Sequence, residues 1–187
     1  MLPLPSWRHW NLFLDRDGVI NERLPGDYVR DWSEFRFLPG ALESLAFFAT
    51  YFGPIVVVTN QQGIGKGLMT KAELTVIHNY MLRDIRHAGG RVDAVYFCPD
   101  QSSTPGNCRK PNPAMAHWAQ RDFPEIDFTR SVIIGDSAGD MEFGFRLGMS
   151  TVLVEGKEED AGKLSLIRGR IDHCIANLPE IVALLKP

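Results

Sequence analysis

No apolar run in this chain approaches the roughly 20 residues that a membrane-spanning helix needs. The opening stretch MLPLPSWRHW has neither the charged start nor the apolar core of a secretory signal. A cytoplasmic protein with no membrane partner is therefore expected. Basic residues are not in excess either. The formal net charge is -3, and the 20 lysines and arginines are scattered rather than gathered into a stripe that would neutralise nucleic-acid phosphates. No nucleic-acid partner is expected. Cysteine is scarce: Cys98, Cys108 and Cys174, an odd number at uneven spacing, read as free thiols rather than a disulfide framework. Repeats, low-complexity tracts and an obvious linker are also missing. A chain of 187 residues, 44% hydrophobic, can bury one full core, so a single domain over residues 1–187 is expected. No exposed apolar stripe stands out, which favours a monomer.

What the chain does have is alternation. Short β-prone apolar runs at residues 11–14, 55–59, 94–97, 132–135, 151–154 and 173–175 alternate with segments of helical period. Residues 39–50 place Leu42, Leu45, Ala46 and Ala49 on one helical face, and a Thr-x-x-Glu capping box at Thr70 and Glu73 opens a helix over residues 70–87. Further helices are predicted to start near Pro113, Gly139 and Leu178. Continuous runs such as IVVV and VII suit a parallel sheet covered on both faces, so the fold class is α/β, doubly wound. Irregular stretches fall at residues 19–38, 61–69 and 99–112, near the strand ends where open α/β sheets bind ligands.

Acids collect at those ends. Asp15 and Asp17 follow the first strand, Thr59 and Asn60 the second, and Asp136 the fourth, while CRKPNP supplies Arg109 and Lys110. Carboxylates in one place repel unless a cation sits among them, and hard oxygen ligands suit Mg²⁺. Such a cation, beside lysine, arginine, a threonine hydroxyl and backbone N–H groups at strand-to-helix turns, makes a receptor for a phosphoryl group. A carboxylate can attack phosphorus and form an aspartyl phosphate. Gly18 then lets the backbone turn tightly around the site. A lone Asp at a strand end commonly caps a turn or helix, and Asp27 and Asp140 admit that reading as well as a functional one. GIGKG at residues 63–67 lacks the spacing and the Ser or Thr of a Walker loop and reads as a flexible turn. His78, His87 and His117 show no metal-ligand spacing and read as surface or packing residues.

DRDGVIN, VVVTNQQG, RKPNP and IIGDSAGDM, in that order, resemble the four motifs of the haloacid dehalogenase (HAD) superfamily of phosphohydrolases, over roughly residues 11–156. More narrowly, they are similar to the heptose 1,7-bisphosphate phosphatases and the related histidinol-phosphate phosphatases. The resemblance implies a Rossmann-like sheet, with Asp15 as nucleophile and Asp17 as the acid and base that protonates the leaving oxygen and then activates water. Thr59 and Lys110 would bind the phosphoryl oxygens. Mg²⁺ would be held by Asp15, the Asp17 carbonyl and Asp136, with Asp140 as outer support. Arg109, Asn60 and Gln61, with Asn21, Glu22 and Arg23, are candidates for gripping the substrate, a phosphorylated metabolite such as a sugar bisphosphate.

Two departures from the family pattern stand out. Its heptose bisphosphate members carry a zinc site on Cys-x-His and Cys-x-Cys; here Cys98 and Cys108 remain, while Asp100 and Gly106 replace the other ligands, so no zinc is expected. Leu24 stands where histidine is common. About twenty residues separate Gly18 from Pro39, too few for a cap domain, so a capless enzyme is expected.

Overall fold

The computed structural model describes residues 7–24, 26–156 and 161–186. Residues 1–6, the start of the stretch read for a signal, lie outside the described residues. Six strands form one parallel sheet: β1 (Asn11–Leu14), β2 (Ile55–Asn60), β3 (Ala94–Cys98), β4 (Ser131–Gly135), β5 (Ser150–Val154) and β6 (His173–Ile175). Their order is β3-β2-β1-β4-β5-β6. The chain thus builds outward from β1 through β2 to β3, returns to lay β4 on the other side of β1, and continues to β6. The doubly wound reading holds, and the reversal beside β1 is the topological switch point at which such sheets bind ligands.

Both sheet faces are apolar, as the continuous runs required. Leu12, Leu14, Ile55, Val57, Val132 and Ile134 pack on one face against α1 (Ala41–Tyr51), α2 (Lys71–His87) and α6 (Leu178–Leu185). Phe13, Val56, Val58 and Ile133 pack on the other against α3 (Ala114–Asp122) and Phe143 of α4 (Ala138–Leu147). The capping box at Thr70 and Glu73 is formed at the start of α2. The first helix begins two residues later than its apolar spacing suggests, because Gly40 adopts φ 74 as its N-cap and Pro39 lies outside. A short helix, α5 (Ala161–Ile167), has no counterpart in the sequence reading. Leu164 alone is buried on it, so it carries no apolar periodicity to detect.

Residues 19–38 are less irregular than their composition suggests. Isolated bridges pair Asp17 with Asn21 and Asn21 with Phe37, and a 3-10 turn spans Trp32–Glu34. Trp32 stacks on Phe35 and Tyr80, so these aromatic rings serve packing. Among the described residues no helix is long and apolar enough to cross a membrane.

Candidate active site

The site begins where β1 stops. The Asp15 N–H still donates to the Ile134 carbonyl at 2.9 Å, so the acid is anchored to the sheet before the chain turns away. Carboxylate oxygens of Asp15, Asp136 and Asp140 lie within 4.8 Å of one another, all three residues buried. Into this cluster comes the ammonium of Lys110, 2.7 Å from Asp15 Oδ1, 2.5 Å from Asp140 Oδ1 and 2.6 Å from the Val58 carbonyl. Burial alone would strip the Lys110 proton, but Asp140 and Asp15 outweigh it and hold the group charged, above the usual lysine range. Burial pushes the Asp15 carboxyl up to about 6 against the pull of Lys110, and Asp140 adds to the rise. Lys110 is itself fixed through its backbone, whose N–H donates to Asn60 Oδ1 at 3.0 Å.

Asp140 divides its oxygens between a helix cap and Lys110. Ser137 and Asp140 form the capping box of α4, the Ser137 N–H donating to Asp140 Oδ2 at 3.0 Å, while Oδ1 faces Lys110. The same cap aims the N-terminal end of α4, the positive end of its dipole, toward the acids. Gly18 explains how Asp136 reaches the cluster. It sits at φ 90, and any Cβ there would collide with the Asp136 carboxylate.

Asp17 is treated differently from Asp15. Burial pushes its carboxyl up, yet Arg16 above all, with Asn21 and Gln61, holds it below the usual carboxylate range. Two neighbouring acids are thereby held differently: burial and Asp140 raise Asp15, while Arg16, Asn21 and Gln61 favour the ionised form of Asp17.

A cavity of about 560 Å³ opens over this cluster, lined by Asp15, Asp17, Thr59, Lys110, Asp136 and Asp140 at its floor. Of the candidates for gripping substrate, Arg23, Asn60, Gln61 and Arg109 stand on its walls. Asn21 and Glu22 are not brought there. Asn21 is fully buried and its amide donates to Asp17 Oδ1 at 3.0 Å and to the Glu22 carbonyl at 2.8 Å, while the Glu22 N–H goes to the Arg36 carbonyl. Lys66, Tyr28 and Lys163 also line the cavity and escaped the sequence reading. Lys66 donates to the Tyr28 hydroxyl at 3.0 Å and so ties the loop after β2 to the loop after β1. Its place in a short loop just past a strand's C-terminal end was the available signal.

Of the two alternatives read for His78, surface or packing, the second holds: it is buried and its Nε2 lies 3.2 Å from Arg16 Nη1. The reading of the cysteines as free thiols changes. Cys98 and Cys108 are joined in a disulfide with 5.5 Å between their Cα atoms, and Cys174 alone is free. Folding of residues 99–107 brings the pair together: Asp100 Oδ2 accepts the Cys108 N–H at 3.1 Å.

The acids fit a divalent cation. Three buried carboxylates meet one buried ammonium, which pairs with Asp15 and Asp140, and the half-exposed Arg23 guanidinium 3.9 Å from Asp136, so negative charge remains in surplus; the glycine at position 18 keeps the space beside Asp136 free of a side chain. Asp15 and Asp136 would hold Mg²⁺ with the Asp17 carbonyl, and Asp140 would support them, an all-oxygen donor set of the kind that ion takes.

Residues 107–181 match the HAD-hydrolase-like family. A D-glycero-alpha-D-manno-heptose-1,7-bisphosphate 7-phosphatase of Mycobacterium bovis is 43% identical over 134 residues, covering 71% of this chain and 70% of that one. The corresponding enzyme of Campylobacter jejuni is 32% identical over 151 residues, covering 81% and 85%. Among solved structures, the D,D-heptose 1,7-bisphosphate phosphatase of B. bronchiseptica, complexed with magnesium and phosphate, superposes with a TM-score of 0.81 at 30% identity, covering 94% of this chain and 97% of that one. Likeness of this degree, over most of the length of both partners, places the chain in the HAD-like hydrolase family, beside the heptose bisphosphate 7-phosphatases.

Proposed function

We propose that this protein is a Mg²⁺-dependent phosphomonoester hydrolase that removes the 7-phosphate of D-glycero-D-manno-heptose 1,7-bisphosphate through an aspartyl phosphate. The observation that carries the reading is the pairing of Asp15 with Lys110 at 2.7 Å, beside a second acid, Asp17, oriented by Arg16, Asn21 and Gln61, in a cavity also lined by Arg23, Lys66 and Arg109.

In the first step an Asp15 carboxylate oxygen forms a bond to phosphorus as the ester P–O bond breaks. The departing oxygen takes its proton from Asp17, which is ionised in the free protein and receives that proton from the incoming phosphate monoanion. In the second step Asp17, now a carboxylate, takes a proton from water, whose oxygen attacks the same phosphorus and releases phosphate and the Asp15 carboxylate. Lys110 and the Thr59 hydroxyl bind the phosphoryl oxygens as charge spreads over them. Bound Mg²⁺ supplies positive charge that offsets the phosphoryl oxygens and the three acids. Arg109, Arg23 and Lys66 give the cavity wall the charge that a second phosphate on the same sugar needs. A monomer of one domain, working in the cytoplasm, completes the reading.

Phosphate release tests it, measured with Mg²⁺ and with EDTA on both anomers of heptose 1,7-bisphosphate, histidinol phosphate, other sugar phosphates and a 3′-phosphorylated oligonucleotide. Relatives are named for the alpha anomer and for the beta anomer, so both belong in the panel. Strong Mg²⁺-dependent preference for a heptose bisphosphate is expected. Preference for histidinol phosphate would move the substrate to that branch, and release that EDTA does not abolish would overturn the metal-dependent reading.

A further inference from the structure

Arg16 lies between the two acids in sequence and away from both in orientation. Successive residues at a strand end point to opposite faces, so its side chain leaves the cavity, is fully buried on the α2 side, and curls back onto Asp17. Its Nη2 is 2.7 Å from Asp17 Oδ1 and 2.9 Å from Oδ2, and Nε adds a contact to Oδ1 at 3.2 Å. A guanidinium has donors only, so Nη1, 3.2 Å from His78 Nε2, must donate to it. His78 is therefore unprotonated at that nitrogen, an acceptor planted in a helix 62 residues along the chain. The Asn21 amide adds a donor to Oδ1 at 3.0 Å and the Gln61 amide one to Oδ2 at 2.9 Å. The Asp17 side chain keeps 24% of its surface accessible and lines the cavity.

We propose that Arg16, braced by neutral His78, is a positioning residue that holds the Asp17 carboxyl group in one orientation against the substrate, so that the proton it hands to the leaving oxygen travels without a side-chain search. A buried guanidinium is costly to keep without a partner, and a salt bridge between adjacent residues adds nothing to long-range packing. The fork fixes the plane of the carboxylate as a single ammonium cannot, and His78 fixes the fork. Without the clamp, a carboxylate on a cavity wall that also carries Lys110, Arg23 and Arg109 has other cations to turn to.

The inference rests on the proposed role of Asp17 as general acid, and the test separates the two. Single-turnover release of the leaving group is measured for a sugar phosphate, whose alkoxide must be protonated, and for p-nitrophenyl phosphate, whose phenolate leaves without a proton. General acid catalysis supplies about 10²–10⁴-fold. Arg16→Lys, which keeps the charge and loses the fork, is expected to slow sugar phosphate release by about tenfold or more, with p-nitrophenyl phosphate within about twofold and KM unchanged. His78→Gln, which keeps an acceptor, should stay near wild type on both, and His78→Phe should fall on the sugar phosphate alone. Equal losses on the two substrates, or none, in Arg16→Lys would overturn the positioning role. Should Arg16→Lys lack a cooperative melt, the His78 pair decides by the same criterion. Asp17→Asn is the reference: if it too loses equally on both substrates, the general-acid reading fails; if it alone discriminates, only the Arg16 proposal does.

Discussion

Replacing Gly18 by alanine should cost both stability and metal binding, and the two costs have separate sources. The first is backbone strain: at φ 90 a side chain carries a penalty of roughly 1–2 kcal/mol. The second is collision with the Asp136 carboxylate, which is buried and leaves little room to yield. Overpacking of this kind costs about 1–3 kcal/mol. Together they remove about 2–5 kcal/mol of the 5–15 typical of a domain. Relief is available only if the turn opens or Asp136 withdraws, and either moves an acid out of the cluster that holds the cation. Urea unfolding with and without Mg²⁺, and a Mg²⁺ titration of phosphate release, read the two effects. The expected variant unfolds earlier, gains less stability from Mg²⁺ than wild type does, and needs about tenfold more Mg²⁺ for half-maximal rate, equivalent to about 1.4 kcal/mol of binding. Gly89→Ala is the control, since that glycine has φ 83 with nothing within 4 Å of the added methyl; it should lose the strain alone and keep its Mg²⁺ requirement. Wild-type urea midpoint and Mg²⁺ requirement in Gly18→Ala would refute the reasoning.

Two more predictions concern stability. Burial, with Arg16 adding to it, lowers His78 from 6.5 to about 3, so the folded protein binds fewer protons than the unfolded chain; the stabilisation is intact above pH 6.5 and is lost as pH falls toward 3. By pH 5 the loss is about 2 kcal/mol, and His78→Gln should lack that increment in urea unfolding at pH 7.5 and 5; equal falls in both proteins would contradict it. The Cys98–Cys108 bond closes a loop with a sequence separation of 10, worth about 3 kcal/mol by chain entropy. Dithiothreitol should therefore lower the melting temperature and raise the count of titratable thiols in the unfolded chain from one to three. Three thiols before reduction would show that the pair is open in the purified protein, the state a reducing cytoplasm favours. Metal analysis of the same sample is expected to find no zinc.

Legibility followed how locally each feature is encoded. Strands were readable because a parallel sheet is buried on both faces, so each one is a short unbroken apolar run, and β1 and β6 fall on the predicted bounds. Asp15, Asp17 and Asp136 were readable for the same reason: reading each strand to its last residue is enough to place them on one edge. Asp140 was only half legible, since a helix-cap acid and a ligand-supporting acid look alike in sequence, and here one carboxylate caps α4 with Oδ2 and meets Lys110 with Oδ1. The Cys98–Cys108 pairing was misread because counting cysteines carries no information about a ten-residue turn that Asp100 folds shut.

Features that orient the acids, rather than supply them, depend on partners far along the chain. Arg16 reads as one more charge in a polar loop until His78 arrives from α2, and Asn21 reads as a substrate-facing residue until the turn at Gly18 folds it under Asp17. Nothing in local spacing distinguishes an asparagine that grips a ligand from one that grips a catalytic acid. The difference is set by the sheet, which decides what lies within 3 Å of each amide. A sequence motif therefore names the groups that do chemistry more readily than those that aim them. In this chain Arg16 with His78 supplies the aim for Asp17.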